Sequence, residues 1–312
     1  MKVLITGGAG FIGSNTAEYL LSLGWKVRIF DDLSTGSMAN LAGLKVDFLK
    51  GDVRNPAALR RAMKGMGRVL HLAALVSVAE SVKFPRRSQE VNDTGAFNVF
   101  EAAAVCGVGR VVSASSAAVY GNLPGLPKRE TMPLRAESPY AAGKLAVEHY
   151  ASVFSGLYGL ETVCLRYFNV FGPKQSLTSQ YSGVISRFAA ALSDGEKINI
   201  FGDGEQTRDF VYVGDVARAN ALALSRAGLG RGECVNVGTG RSTSLLKLAR
   251  EMSAVCGQAP SFRFAAARPG DIRHSLPDIA LARKLLKFKP AYTLRRGLEL
   301  TMKAGKVCGA QK

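Results

Sequence analysis

The feature that most constrains this chain lies at its start. A short apolar run, Lys2 to Thr6, turns into Gly7-Gly8-Ala9-Gly10-Phe11-Ile12-Gly13, and a helical pattern follows from Phe11 to Leu23. Glycines at 7, 10 and 13 permit a tight turn, close approach of backbone to a diphosphate, and close packing of helix on strand. A diphosphate there meets the free N–H groups and the positive dipole end of the helix. Glycine-rich turns are common, so an ordinary β–α turn is the competing reading. The setting favours a dinucleotide, because a second strand-like run, Lys26 to Phe30, leads into Asp31. An acidic residue at that point binds the adenosine ribose hydroxyls and repels a 2′-phosphate, which selects NAD over NADP.

The rest of the first half alternates short apolar runs with helical patterns, the sign of a parallel sheet covered by helices. Further strands are expected at Asp47–Lys50, Arg68–Leu72, Arg110–Ala114 and Glu161–Arg166, and helices at Pro56–Met63, Pro85–Val105 and Pro139–Tyr158. Their richness in Val, Ile, Leu and Phe suits strands buried on both faces. Beyond Phe168 the pieces shorten. Helices are expected near Ser182–Ser193, Gly214–Ser225, Thr243–Val255 and Leu276–Leu286, with small strands near Ile198–Phe201 and Cys234–Val237. They suggest a second, smaller lobe interleaved with the first.

Composition excludes several classes. The 312 residues are 47% apolar and 21% charged, ordinary for a globular protein. No apolar run approaches the ~20 residues of a bilayer span. The N-terminus lacks the long apolar stretch and cleavage site of a signal peptide, so a cytoplasmic protein with no membrane partner is expected. Five scattered cysteines and the distant histidines His71, His149 and His274 argue against a disulfide framework and a metal cluster. His71 and His149 read as structural. The formal charge of +17 favours acidic ligands such as nucleotide diphosphates. The basic residues are spread and no nucleic-acid motif accompanies them, so a solvated basic surface without a specific nucleic-acid partner is the simpler reading.

Tyr140 and Lys144 stand four apart on an expected helix and project from one face. A tyrosine hydroxyl has a pKa near ~10, so bringing it to neutrality takes roughly three units, about 4 kcal/mol of preference for the phenolate. A neighbouring lysine cation and a positive nicotinamide ring supply this in a poorly solvated site. The pair alone is common on helix surfaces. The glycine loop and an upstream serine at a strand end give it weight. Ser116 is the favoured serine, its hydroxyl set to bond the reacting oxygen and share its proton with Tyr140, while Ser115 and Ser113 compete for the role and Ser115 also serves as a partner for loop backbone.

The glycine spacing together with Tyr140-x-x-x-Lys144 resembles the extended short-chain dehydrogenase/reductase family. The likeness runs through nearly the whole chain: Asp52-Val53, His71-Leu72-Ala73-Ala74, Asn92, Ser115 to Gly121, Arg166-Tyr167-Phe168-Asn169, Arg208-Asp209-Phe210-Val211 and Arg268-Pro269-Gly270-Asp271. It points to the nucleotide-sugar branch. The resemblance implies an α/β fold, a Rossmann-type doubly wound parallel sheet with a smaller C-terminal substrate-binding lobe. Residues 1–168 would form the NAD-binding domain with the catalytic residues, and 169–312 mainly the substrate lobe. Beside the glycine loop (Gly7, Gly10, Phe11, Ile12, Gly13) and Asp31, the cofactor set would include Asp32, Ser34 and Gly36. Asp52 and Val53 would border the adenine, Leu72, Ala73, Ala74 and Asn92 would line the cleft, and Tyr167 and Phe168 would lie near the nicotinamide, with Tyr140 and Lys144.

The same resemblance assigns the substrate side. Arg208 and Arg268 match arginines that grip the diphosphate, for which the planar guanidinium fork is suited. Asp271 matches a residue binding the nucleotide ribose, Asn169 one at the diphosphate end, and Phe201 and Val184 residues enclosing a uracil. Arg208 paired with Asp209 at the surface, and Phe201 as core, are the structural alternatives. Ser275 falls where related enzymes gate the sugar's C2 substituent; a small residue there leaves room for an N-acetyl group. Sugar 4,6-dehydratases carry an Asp-Glu pair where Ala117 and Ala118 stand, and decarboxylases usually a glutamate at 118. Alanine supplies neither the acid nor the base that elimination needs.

The expected function is therefore NAD-dependent C4 epimerisation of a UDP-hexose, through a 4-keto sugar and return of the hydride. A reductase or dehydrogenase with net redox turnover, and a non-catalytic NAD-binding regulator, are the alternatives. Relatives dimerise through the two long helices, so a homodimer is expected.

Overall fold

A computed structural model describes residues 1–175, 183–267, 272–305 and 307. The apolar runs of the first half form β1 (Lys2–Thr6), β2 (Lys26–Asp31), β3 (Asp47–Lys50), β4 (Arg68–His71), β5 (Arg110–Ser116) and β6 (Glu161–Tyr167). Between them lie α1 (Phe11–Ser22), α2 (Pro56–Met63), α3 (Val78–Lys83), α4 (Pro85–Gln89), α5 (Gly95–Val105) and α6 (Pro139–Tyr158). The later chain adds β7 (Asn169–Phe171), α7 (Val184–Ser193), β8 (Ile198–Phe201), β9 (Thr207–Arg208), β10 (Phe210–Tyr212), α8 (Val213–Ser225) and β11 (Arg231–Val237). It ends in β12 (Thr243–Ser244), α9 (Leu245–Val255), β13 (Phe262–Ala265) and α10 (Leu294–Gly305).

The main sheet has seven strands in the order β11-β6-β5-β4-β1-β2-β3, and every pairing is parallel. Side chains alternate between its faces. Ile5, Leu70, Val112 and Leu165 pack with Leu20 of α1 and Val216 of α8 on one face. Leu4, Val69, Val111 and Cys164 pack with Leu59, Phe100 and Val147 of α2, α5 and α6 on the other. This is a Rossmann-type, doubly wound sheet. Its order reverses between β1 and β4, so the loops leaving those strands diverge and open a crevice at the C-terminal edge. A third core, with Phe171, Ile185, Phe188, Ile200, Phe210, Leu248 and Leu298, holds the smaller lobe.

Three expected helices differ in outcome. Pro85–Val105 is interrupted: a wider π-helical turn, Glu90–Thr94, separates α4 from α5. In that turn the Asn92 amide bonds the Leu75 backbone in both directions. The helix expected over Leu276–Leu286 begins only at residue 280, because the chain before it lies extended against Lys128, whose backbone N–H donates to the Leu276 carbonyl at 2.7 Å. Thr243 and Ser244 pair with β9 instead of opening α9, and Ser244 caps that helix. Ser182 lies outside the described residues.

Among the described residues no helix is long and apolar enough to cross a membrane, and no group of His, Cys, Asp and Glu could hold a metal ion. Cys106, Cys164 and Cys234 are free thiols, whereas Cys256 is disulfide-bonded, a link the cysteine spacing does not announce.

Candidate active site

The glycine loop joins β1 to α1 at the crevice. Gly7 has φ +69, and a Cβ there would lie 2.6 Å from the Ala73 nitrogen, so only glycine lets the β4 exit come this close. A Cβ on Gly13 would lie 2.3 Å from the Gly7 oxygen, which fixes the packing of α1 on β1. Gly10 is different: its Cβ would meet only the Gly7 oxygen, at 3.2 Å. Gly10 is also the N-cap of α1, which has no side-chain cap and no acidic residue in its first turn. The first-turn N–H groups, those of Phe11, Ile12 and Gly13, therefore have no intrahelical acceptor. This combination of a side-chain-free N-cap and orphan donors fits a diphosphate.

Asp31 is buried at the end of β2. Its carboxylate accepts from the Ala9 N–H at 2.9 Å and the Leu33 N–H at 2.8 Å, so it braces the loop itself. Burial pushes its pKa up, and the two backbone donors pull against that. Asp32 is exposed and accepts from the Ser34 N–H and hydroxyl, and Gly36 packs against Asp31, where a Cβ would lie 2.9 Å from Oδ1. Asp52 is clasped by Arg54, Nη2 to Oδ2 at 2.6 Å, and is held below the usual carboxylate range. Beside it, Val53 is buried, its carbonyl accepting from Asn98 at 3.1 Å. Leu72 donates to the Thr6 carbonyl and Ala73 to the Thr6 hydroxyl, while Ala74 is half-buried. Asn92, expected among the cofactor residues, has its amide committed to Leu75.

Helix α6 delivers the proton-handling side chains. Ser138 accepts from the Ala141 N–H at 3.1 Å, Pro139 occupies the first turn, and Gly159 at φ +65 ends the helix. Tyr140 has the side chain of Ser116, at the end of β5, as its polar neighbour. The Ser116 oxygen accepts from the Ala118 N–H at 3.2 Å, a bond that does not use the hydroxyl proton. One turn further on, the Lys144 ammonium donates to the Ala114 carbonyl at 2.8 Å and lies 5.8 Å from the Tyr140 ring centroid. Burial pulls Lys144 down to about 8, so it is still cationic at neutral pH. Burial raises Tyr140 while the Ser116 hydroxyl lowers it; in the protein alone, burial dominates and the phenol stays protonated. His71 is buried, with Nδ1 2.8 Å from the Thr6 hydroxyl, and is pulled down to about 3 by burial and by Lys144, so it is neutral.

The sequence pattern gave no role to the charges behind this pair. Glu148, a further turn along α6, is buried. It accepts from the Ser115 hydroxyl at 2.5 Å and from Arg166 at 2.8 and 2.7 Å. Arg166 reaches the Tyr120 hydroxyl at 2.8 Å, and Tyr120 donates to Asn236 at 2.8 Å. Asn236 is held in turn: its backbone N–H donates to Glu130 and its side-chain amide to the Lys128 carbonyl. Ser115 thus bonds a carboxylate and not loop backbone. The available signal was the stripe Tyr140, Lys144, Glu148 on one helix face.

The other expected residues spread along the smaller lobe. Asn169 is exposed at the start of β7, Val184 opens α7, and Phe201 ends β8 in register with Ala265. Arg208 donates to the Thr207 carbonyl at 2.9 Å. Asp209 is buried and accepts from the Thr239 and Arg241 N–H groups, so it organises that loop. Ser275 is half-buried and pinned by backbone bonds of 3.1 Å to Thr207 and from Asp209. Arg268 and Asp271 lie outside the described residues. Tyr167 points to the α8 side of the sheet, where it donates to Asn220 at 2.6 Å, and Phe168 is buried against Val119 and Tyr120.

A doubly wound parallel sheet with a capless, glycine-led helix at its switch point defines a dinucleotide-binding protein. The profile of the NAD dependent epimerase/dehydratase family matches residues 3–238, and the chain belongs to that family, with NAD as its cofactor. It is 39% identical over 308 residues to UDP-glucose 4-epimerase of Mycolicibacterium smegmatis, covering 97% of each chain. Among solved structures, it superposes with a TM-score of 0.93 on UDP-N-acetylglucosamine 4-epimerase from Methanobrevibacter ruminantium in complex with UDP-N-acetylmuramic acid, at 38% identity and 98% coverage of both chains. Against the UDP-glucose 4-epimerase of Thermus thermophilus in complex with NAD the TM-score is 0.89 at 39% identity, covering 99% of this chain and 100% of that one.

Proposed function

We propose that this protein inverts C4 of a UDP-hexose, with Ser116, Tyr140 and Lys144 as its catalytic residues. The observation that carries the assignment is that the start of α6 sets Tyr140 beside the Ser116 side chain at the end of β5, while Lys144, one turn on, is tied to the Ala114 carbonyl of the same strand. A bound NAD would supply a reversible hydride acceptor for the sugar carbon. Tyr140 takes the proton of the C4 hydroxyl and gives it back to the ketone oxygen. The single Ser116 hydroxyl proton serves the phenol oxygen, where it favours phenolate, or the sugar oxygen as that becomes a ketone. Lys144 adds positive charge where water cannot screen it. Ala117 and Ala118 form the turn after Ser116 and carry no acid or base, so elimination is not supported. A ketone that turns over between the two hydride transfers gives the epimer, and no net oxidation remains.

The orphan N–H groups of Phe11, Ile12 and Gly13 and the brace at Asp31 are the proposed dinucleotide contacts, with Asp32, Ser34, Gly36, Asp52, Val53 and Leu72 to Ala74 around them. Asn169, Val184, Phe201, Arg208, Arg268, Asp271 and Ser275 are the proposed UDP-sugar side. A residue as small as serine at 275 would leave room for an N-acetyl group, which supports both UDP-glucose and UDP-N-acetylglucosamine as proposed substrates. The protein acts as a cytoplasmic homodimer. Phe97, Val105, Val153, Leu157 and Tyr158 on α5 and α6 are 38 to 77% exposed, an apolar face suited to a second copy. Sedimentation should show a dimer that Leu157→Glu dissociates, and a wild-type monomer would remove this part of the proposal.

The activity is tested by incubating purified protein with UDP-glucose, UDP-N-acetylglucosamine and UDP-glucuronate, without added NAD, and following C4 by NMR. Inversion of the first two without NADH build-up is expected. Stoichiometric NADH, or no inversion of any substrate, overturns the assignment.

A further inference from the structure

The end of β5 meets α6 at three consecutive residues. Tyr140 faces the Ser116 side chain, the Lys144 ammonium donates to the Ala114 carbonyl, and Glu148 accepts from the Ser115 hydroxyl. Residues 140, 144 and 148 repeat at i, i+4 and i+8, so one face of the helix meets one stretch of strand. The third contact is the least replaceable. Glu148 is 7% exposed and Arg166 is 3% exposed, and the two form a bidentate pair. Ser115 and Arg166 are register partners on β5 and β6, so the carboxylate bridges both strands to the helix. Such a charged pair is seldom the most stable filling for a core, since an apolar pair of similar volume is often as good. What the pair adds is direction, because a carboxylate held on two sides fixes the third donor, Ser115, to a single geometry.

We propose that Glu148 is a positioning residue for C4 chemistry: through Ser115 it sets the orientation of the adjacent Ser116 hydroxyl toward Tyr140. Arg166 holds Glu148 and is itself anchored through Tyr120 and Asn236. A small rotation at the end of β5 moves the Ser116 hydroxyl relative to Tyr140 without emptying either ligand site. Losing Glu148 or its grip on Ser115 therefore lowers kcat and leaves KM and NAD content in place.

This rests on the proposed roles of Ser116 and Tyr140, and the test separates the two. The holoenzyme carrying Ser115→Ala keeps the Glu148–Arg166 pair intact and loses one hydroxyl. Its kcat is expected to fall on the order of tenfold to a hundredfold, as for misplacement of a reacting group, with KM for UDP-glucose and bound NAD within about twofold. The acid limb of its kcat–pH profile should move upward, because the Ser116 hydroxyl that favours phenolate is displaced from Tyr140. Ser115→Thr, which keeps the hydroxyl, should restore most of the loss. Glu148→Gln should also lower kcat, and Ser115→Ala added to it should cost little more. Wild-type kcat and an unmoved profile in Ser115→Ala overturn the proposal, as does a loss of kcat that only follows a loss of melting temperature. Tyr140→Phe is the control: if it stays active, the underlying assignment of the site fails, whereas an inactive Tyr140→Phe beside a fully active Ser115→Ala sinks only the positioning role.

Discussion

The Lys144 ammonium lies 2.8 Å from the Ala114 carbonyl oxygen, two residues before Ser116. The lysine that supports the tyrosine is thus tied to the strand that carries the serine. Holding a cation in this place has a cost, because burial pulls Lys144 from 10.5 to about 8. Between those values the unfolded chain binds more protons than the folded one, so stability rises with pH across the window, and the penalty is fully present below it. Lys144→Met is expected to stabilise the NAD-free protein at pH 7 by at most about 3 kcal/mol, and to lower kcat by about a hundredfold or more. Urea unfolding of both proteins at pH 7 and near 10.5 checks the sign: the gap should shrink at the higher pH, and a gap that grows would contradict the buried cation.

Acid should act through His71. Its ring is buried against Thr6, and burial pulls its pKa from 6.5 to about 3. The unfolded chain therefore binds more protons between these values, and the stability contribution of the neutral ring is lost as pH falls through that window. A slope of up to about 1.4 kcal/mol per pH unit follows from one proton. His71→Gln should flatten the stability–pH curve between pH 6 and pH 4 relative to the wild type. Curves that stay parallel would mean the ring already finds a proton in the folded state.

Gly7 and Gly65 separate backbone conformation from close approach. Both have positive φ, +69 and +76, but a Cβ on Gly7 would strike the Ala73 backbone while one on Gly65 would meet nothing within 4 Å. Each Ala substitution incurs the left-handed penalty, about 1–2 kcal/mol. Only Gly7→Ala also displaces the β4 exit from the loop. Denaturing the purified variants and measuring released NAD should give normal content for Gly65→Ala and a strong loss for Gly7→Ala. Equal content in the two would show that the cofactor does not depend on this approach.

The sheet was largely legible because strands buried on both faces leave unbroken apolar runs. Only the last four residues of β11 read as strand, since Arg231, Gly232 and Glu233 are polar and a register shift falls among them. Breaks caused by partners distant in sequence did not read. Asn92 looks like any helical residue until its amide meets Leu75, and the extended chain before residue 280 depends on Lys128. In the site, the Tyr140–Lys144 spacing was visible, whereas the partners of Glu148 come from two other strands. The direction of Tyr167 was readable from parity along β6: Val163 and Leu165 pack on the α1 and α8 face, and Tyr167 joins them there.

Substrate range should turn on position 275. The Ser275 backbone is pinned to Thr207 and Asp209 by bonds of 3.1 Å, so a larger side chain there cannot be relieved by a backbone shift and must fill adjacent space. Ser275→Tyr is expected to lower kcat/KM for UDP-N-acetylglucosamine by about tenfold or more, the scale on which pocket shape discriminates small groups. For UDP-glucose, which lacks the N-acetyl group, the change should stay within about threefold. Parallel NMR assays of both substrates give the ratio directly. A wild-type enzyme that inverts UDP-galactose but not UDP-N-acetylgalactosamine, or a tyrosine variant that slows both equally, would show that the pocket's limit is set elsewhere.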